Sequence, residues 1–232
     1  MDTTVLSELL FLLRYIHFLA GITWIGMLYY FNFVQTPFFG TDLGGTARGP
    51  MMRGLVPNAL WWFRWGAMFT FLSGWLYLLT NWGHGGYSPQ AVILISTGGA
   101  IGTLMWFNVW FVIWPAQQVM IASAEAVAGG GQADPAAAKR APIAGRASRT
   151  NTLLSLPMLF FMASASHGQF LLSGQTSLAP YFAIVLGVLL LTELNIFYGT
   201  PATQKPLASV SGTIHAGLGA TVLLGIVAFL FV

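Results

Sequence analysis

Six stretches of this chain, near residues 5–34, 59–81, 91–115, 152–173, 179–199 and 208–231, are long and carry scarcely a charged side chain. Each meets the roughly 20 residues that one helical crossing of a bilayer needs. The runs are continuously apolar and do not alternate at a period of two, which argues against a β-barrel. Charged residues make up 6% of the 232, where a soluble domain carries about 25%. The sequence predicts an all-α fold: a polytopic membrane helix bundle of about six transmembrane helices, one bundle over residues 1–232. Residues 123–150 read as its one long linker, punctuated by Gly129, Gly130, Gly131 and Pro135, with alanine runs that leave room for a short helix.

The few charges set an orientation. Arg48, Arg53 and Arg64 follow the first run, Lys139, Arg140, Arg146 and Arg149 follow the third, and Lys205 follows the fifth. The connections 82–90 and 174–178 contain no Lys or Arg. By the positive-inside rule the basic loops are cytoplasmic and both termini face outward, in a multi-pass protein of the cell inner membrane. The N-terminus lacks a basic n-region and its apolar run exceeds signal length, so the first helix is expected to remain. The net charge of +3 reads as topology and not as a nucleic-acid footprint. With no cysteine in the chain, disulfides, iron–sulfur clusters, thiolate zinc and covalently attached haem are excluded.

Chemistry inside such a bundle falls to its histidines. His17, His167 and His215 lie within apolar runs, and a side chain that titrates near neutrality is costly in hydrocarbon unless it has work to do. On a helix Gly21 sits one turn from His17 and Trp24 on the same face. Gly212 and Gly219 flank His215 in the same way, and Ala163, Ser164 and Gly168 surround His167. A glycine beside a histidine leaves room for a flat macrocycle, so His17 and His167 are candidate metal ligands clamping one b-type haem, with His215 at a deeper site or bonded to a polar partner. The plainer alternative is close helix packing with interhelical hydrogen bonds. Arg14 would pair with Glu8 or with a haem propionate. Glu193 would serve a proton relay or a quinone site, or would snorkel to the interface, and Asn108 is a polar interruption of the third run. His84 reads as a solvated loop residue, Met158 and Met162 as a soft ligand or core filler, and most of the tryptophans as an aromatic belt.

Three strings resemble a known family. Arg14-Tyr-Ile-His-Phe-Leu-Ala-Gly-Ile-Thr-Trp-Ile-Gly26, Asn108-Val-Trp-Phe-Val-Ile-Trp-Pro-Ala-Gln117 and Asn151-Thr-Leu-Leu-Ser-Leu-Pro-Met-Leu-Phe160, the last leading to His167, are similar to the membrane-integral domain of bacterial membrane-bound urate hydroxylases. That domain is often labelled the urate oxidase N-terminal domain. The likeness spans most of the chain and implies a histidine-bearing bundle, with His17 and His167 at the matching positions. In that family a cytochrome c domain follows, in a context of purine breakdown. No Cys-x-x-Cys-His occurs here, so the electron-carrying part is expected to be missing, and urate oxidation does not carry over from the resemblance alone.

The functional expectation is a membrane redox module holding haem b and acting with a protein partner in a redox complex, with membrane lipid around it and quinone as a candidate reactant. Nucleic acid is not expected as a partner. The alternatives are a non-catalytic accessory subunit and a small-molecule transporter. Whether the chain is itself an enzyme stays open at this stage. The absence of cysteine makes the orientation directly testable. Ala138→Cys is expected to react with a membrane-impermeant thiol reagent only when the cytoplasmic side is opened, and His84→Cys in intact spheroplasts. The reverse pattern would invert the topology.

Overall fold

The structure, a computed structural model, describes residues 2–168 and 177–232. The end of the expected 152–173 segment lies outside them. α1 (Thr3–Tyr29) begins at Asp2, whose side chain accepts the Thr4 N–H at 3.2 Å. It continues without a break through a π-helical turn (Tyr30–Gln35) into α2 (Thr36–Phe39). A short α3 (Asp42–Arg53), capped by Thr41, leads into α4 (Leu55–Gly83). Ser88 and Pro89 then start α5 (Pro89–Phe107), which passes through a second π-helical turn (Asn108–Ile113) into α6 (Trp114–Ala128). Asp134 and Pro135 open α7 (Pro135–His167). α8 (Leu178–Tyr198), the short α9 (Pro201–Gln204), a 3-10 turn (Lys205–Ala208) and α10 (Val210–Phe231) complete the chain. Oxygen-bearing caps and proline at the first helical position recur because both suit the orphan N–H groups of a helix start.

Among the described residues the fold is all helical, as the sequence predicts. Among the described residues each expected apolar segment is mostly long helix. Four of these, Thr3–Phe39, Pro89–Ala128, Leu178–Tyr198 and Val210–Phe231, are long and apolar enough to cross a membrane. Their exposed side chains include Phe11, Ile22, Leu191 and Val222, an apolar surface suited to lipid. The other two long helices, α4 and α7, carry the longest sets of buried residues, several of them polar. Those polar residues lie on the face turned into the bundle, while α4 also exposes an apolar face that includes Trp62, Phe69 and Leu76.

The structure differs from the sequence expectation over residues 123–150. α6 extends to Ala128 and α7 starts at Pro135, so helix occupies most of that stretch and only a short turn separates the two. Alanine is the best helix former and proline is tolerated at a helix start, which outweighs the glycine punctuation on either side.

The two π-helical turns share one cause. Pro37 and Pro115 have no N–H, and in a regular α-helix each ring would press on the carbonyl four residues back. The chain widens just before each: Thr36 N–H reaches Phe31 O and Trp114 N–H reaches Val109 O, in the i to i−5 pattern of a π turn.

α1 packs along α4, while α5 and α10 pack on α7. Small residues permit the closest approaches. A Cβ on Gly66 of α4 would stand 3.0 Å from the Trp24 backbone nitrogen of α1. A Cβ on Gly217 of α10 would stand 2.8 Å from the Leu153 carbonyl, a carbonyl that Pro157 leaves without its helical donor.

Polar contacts fix the register around α7. Tyr29 and Ser155 share a hydrogen bond of 2.9 Å, and Asn32 Nδ2 donates to Ser148 Oγ at 2.8 Å. Asn108 Nδ2 donates to Asn151 Oδ1 at 3.0 Å, and Asn151 Nδ2 donates to the Met105 carbonyl at 2.8 Å. Asn32 and Asn108 both belong to π turns. Replacing Asn151 with leucine removes both of its bonds, to Asn108 and to the Met105 carbonyl. We expect a loss of about 1–2 kcal/mol, read as a lower thermal midpoint in detergent; a midpoint equal to the parent's would show that this tie carries no stability.

Candidate functional site

Of the expected ligands, His17 lies deepest. Its ring rests on Gly74 of α4, where an added Cβ would stand 2.7 Å from Cε1. Nδ1 lies 2.9 Å from the Thr70 carbonyl and 3.4 Å from Ser73 Oγ. A carbonyl only accepts, so the neutral ring carries its proton on Nδ1 and presents a lone pair at Nε2. A carbonyl bonded to one ring nitrogen orients an imidazole whose other nitrogen binds a metal, and equally ties two helices together.

The other residues named from the sequence disperse. Gly21 faces Thr70 in the α1–α4 contact, and Trp24, 1% exposed, is buried in the core. Arg14 bonds the Tyr77 hydroxyl, with its guanidinium carbon 4.9 Å from that ring's centroid. His215 is exposed on α10 with Nδ1 2.8 Å from the Ser211 carbonyl. His84 is exposed, with Nδ1 2.8 Å from the Thr80 carbonyl. His167 ends α7 and is exposed.

Contacts across the bundle compare the heights of His17 and His167. Trp75, next to Gly74, donates to Thr103 of α5 at 3.0 Å. On α5, Gly98 and Gly102 face Met158 and Met162 of α7. By that route His17 is level with Met158 and Met162, whereas the direct ties of α1 to α7, Tyr29 to Ser155 and Asn32 to Ser148, place it level with residues 163–167 of the antiparallel α7. No group of three or more His, Cys, Asp or Glu suited to a metal occurs among the described residues.

Glu193 turns inward. Its Oε2 accepts from Asn108 Nδ2 at 3.0 Å, joining α8 to the polar seam of α7. The carboxylate thus bonds within the bundle, a position that snorkelling to the interface would not give it.

The largest feature that sequence reasoning missed lies at the basic end. A cavity of about 720 Å³ opens between the π turn of α1, the start of α4, α6, α7 and the segment around Lys205. Its size is that of a small-molecule site. Arg48, Arg146, Arg149 and Lys205 line it, and no acidic residue does. Met52, Val56, Leu60 and Phe63 supply an apolar wall. Arg146 Nε is already committed to the Ile196 carbonyl at 2.7 Å. Three residues of the lining each carry a buried polar atom without a partner: Gln35 Oε1, Gln117 Oε1 and Arg149 Nη1. The sequence signal for Arg149 was present but was spent on orientation. Gln35 and Gln117 are two residues from Pro37 and Pro115, a spacing that acquires meaning only once the π turns are seen.

The family described as Urate oxidase N-terminal matches residues 79–224. Neither the curated proteins nor the solved structures give a match.

The packing of His17 on Gly74 makes a definite prediction. Gly74→Val drives two methyls into the imidazole and is expected to destabilise the α1–α4 pair by about 1–3 kcal/mol. Adding His17→Ala should recover part of that loss. Thermal unfolding of the two variants decides it; a double variant no more stable than Gly74→Val would place the strain elsewhere.

Proposed function

Because the chain belongs to the urate oxidase N-terminal family, we propose that it is the membrane-embedded domain of a urate-oxidising system, and that the cavity at its basic end receives the urate anion. The observation that carries this reading is the charge of the lining: four cationic side chains and no acidic one around an apolar-walled space of about 720 Å³. Low-dielectric walls concentrate the field of those cations and favour an anionic guest. Under the positive-inside rule this mouth opens to the cytoplasm. The exposed Arg48 and Lys205 would attract the anion, and Arg149, with Nη1 buried and bare, would hold it.

Oxidation of urate needs an electron acceptor. A protein partner in a membrane redox complex, or a quinone from the lipid phase, is proposed for that role. A second reading adds a b-type haem in the bundle, to carry electrons onward from the site. What supports it is His17, whose Nδ1 is anchored on Thr70 so that Nε2 is left to ligate. His17 would supply one axial ligand, and His167 of α7 or a residue of a partner chain would supply the second.

Two measurements test these readings separately. Urate should bind the purified protein in nanodiscs, and Arg149→Gln should weaken binding at least tenfold, about 1.4 kcal/mol. Equal binding by parent and variant overturns the cavity reading. For haem, the loaded protein should show a Soret band that His17→Ala abolishes. A colourless protein, or a band indifferent to that substitution, removes the haem.

A further inference from the structure

We propose that Gln35 and Gln117 determine the specificity of this cavity by accepting hydrogen bonds from N–H groups of a planar anion whose charge is met by Arg149. The inference deepens the preceding one and rests on its reading of the cavity as an anion site.

The argument starts from atoms that lack partners. Gln35 is 7% exposed, and its Oε1 is buried with no donor. Gln117 Oε1 is in the same condition on the same lining. A buried carbonyl without a donor costs about 1–3 kcal/mol. A chain that holds two of them on one cavity wall recovers that cost when a guest supplies the donors.

Local structure explains why these two side chains stay in place. Gln35 is the last residue of the π turn that Pro37 imposes on α1. Gln117 lies in the first turn of α6, just past Pro115 and the matching π turn. Each glutamine is thus aimed by a backbone distortion with its own fixed cause.

The donor count then selects the guest. A phosphate ion or phospholipid headgroup would satisfy Arg149 and could accept from the glutamine NH2 groups, but it would leave both Oε1 atoms without a donor. A simple carboxylate has the same fault. An anionic nitrogen heterocycle carries ring N–H groups beside a delocalised negative charge, and so meets the two carboxamides and the guanidinium together. A site built to hydrogen-bond such groups rejects analogues that lack them far more strongly than an apolar pocket does.

Urate and 1,3,7-trimethylurate separate the two contributions. Both are anionic at neutral pH, and the second has methyl groups in place of three N–H donors. The parent protein in nanodiscs is expected to favour urate at least tenfold. Gln35→Leu and Gln117→Leu, close to isosteric, are each expected to lower urate affinity about tenfold and to leave trimethylurate binding unchanged, so that the preference collapses. Inorganic phosphate is the third probe and should bind weakly and equally to all three proteins.

A parent that does not distinguish the two urates overturns the inference. So does a glutamine variant that loses both urates alike, since the side chain would then be only part of the wall. Stronger phosphate than urate binding would mark a headgroup site instead. Urate that binds the parent, weakens in Arg149→Gln and is indifferent to both glutamines would sink this inference alone; no urate binding at all would sink the cavity reading with it. Circular dichroism of each variant confirms that the helices are intact.

Discussion

A row of hydroxyl and carboxamide side chains on α7 holds the bundle in register. Ser148 receives Asn32, Asn151 receives Asn108, and Ser155 shares a bond with Tyr29. In lipid the hydrophobic effect gives helices little reason to associate, because hydrocarbon solvates an apolar side chain as well as another helix does. Directional bonds and close packing must supply specificity instead. The α7 row supplies it for α1, for α5 and, through Asn108 and Glu193, for α8.

The two π turns belong to the same arrangement. Each is forced by a proline further along its helix, and each contributes an asparagine to the α7 row. The widening that relieves the proline ring also rotates the residues beyond it relative to those before. Gln35 and the α6 turn bearing Gln117 are thereby carried to the basic end, where α7 brings Arg146 and Arg149. The cavity is thus a by-product of how the helices are joined, lined on one side by neutral acceptors and on the other by cations. Such a lining suits an anion that is also a hydrogen-bond donor, in keeping with the family to which the chain belongs.

Particular residues show how far sequence reasoning reached. The apolar runs marked the long helices, and the basic loops marked the end where the cavity lies. His17, expected as a buried polar group with glycine beside it, is half-buried, and the glycine its ring rests on is Gly74 of another helix and not Gly21 of its own. His167 and His215 were placed in apolar runs and are exposed in the fold. Hydropathy reports that a residue is near lipid depth; it does not report which face of the helix the residue occupies once neighbours are packed. Gln35 and Gln117 gave no signal because a lone glutamine near a proline is ordinary until the turn that aims it is known.

The amino-acid order by itself marks the apolar helices and which end of the bundle is positive, since both follow from local hydropathy and a count of Lys and Arg. Tertiary structure alone decided that α7 is the axis of polar contacts, that His17 spends one nitrogen on Thr70, and that two glutamines and an arginine are left unpaired around one space. Those outcomes depend on which helices meet and at what rotation. Proline-driven π turns change that rotation by amounts that no periodicity in a single helix reveals.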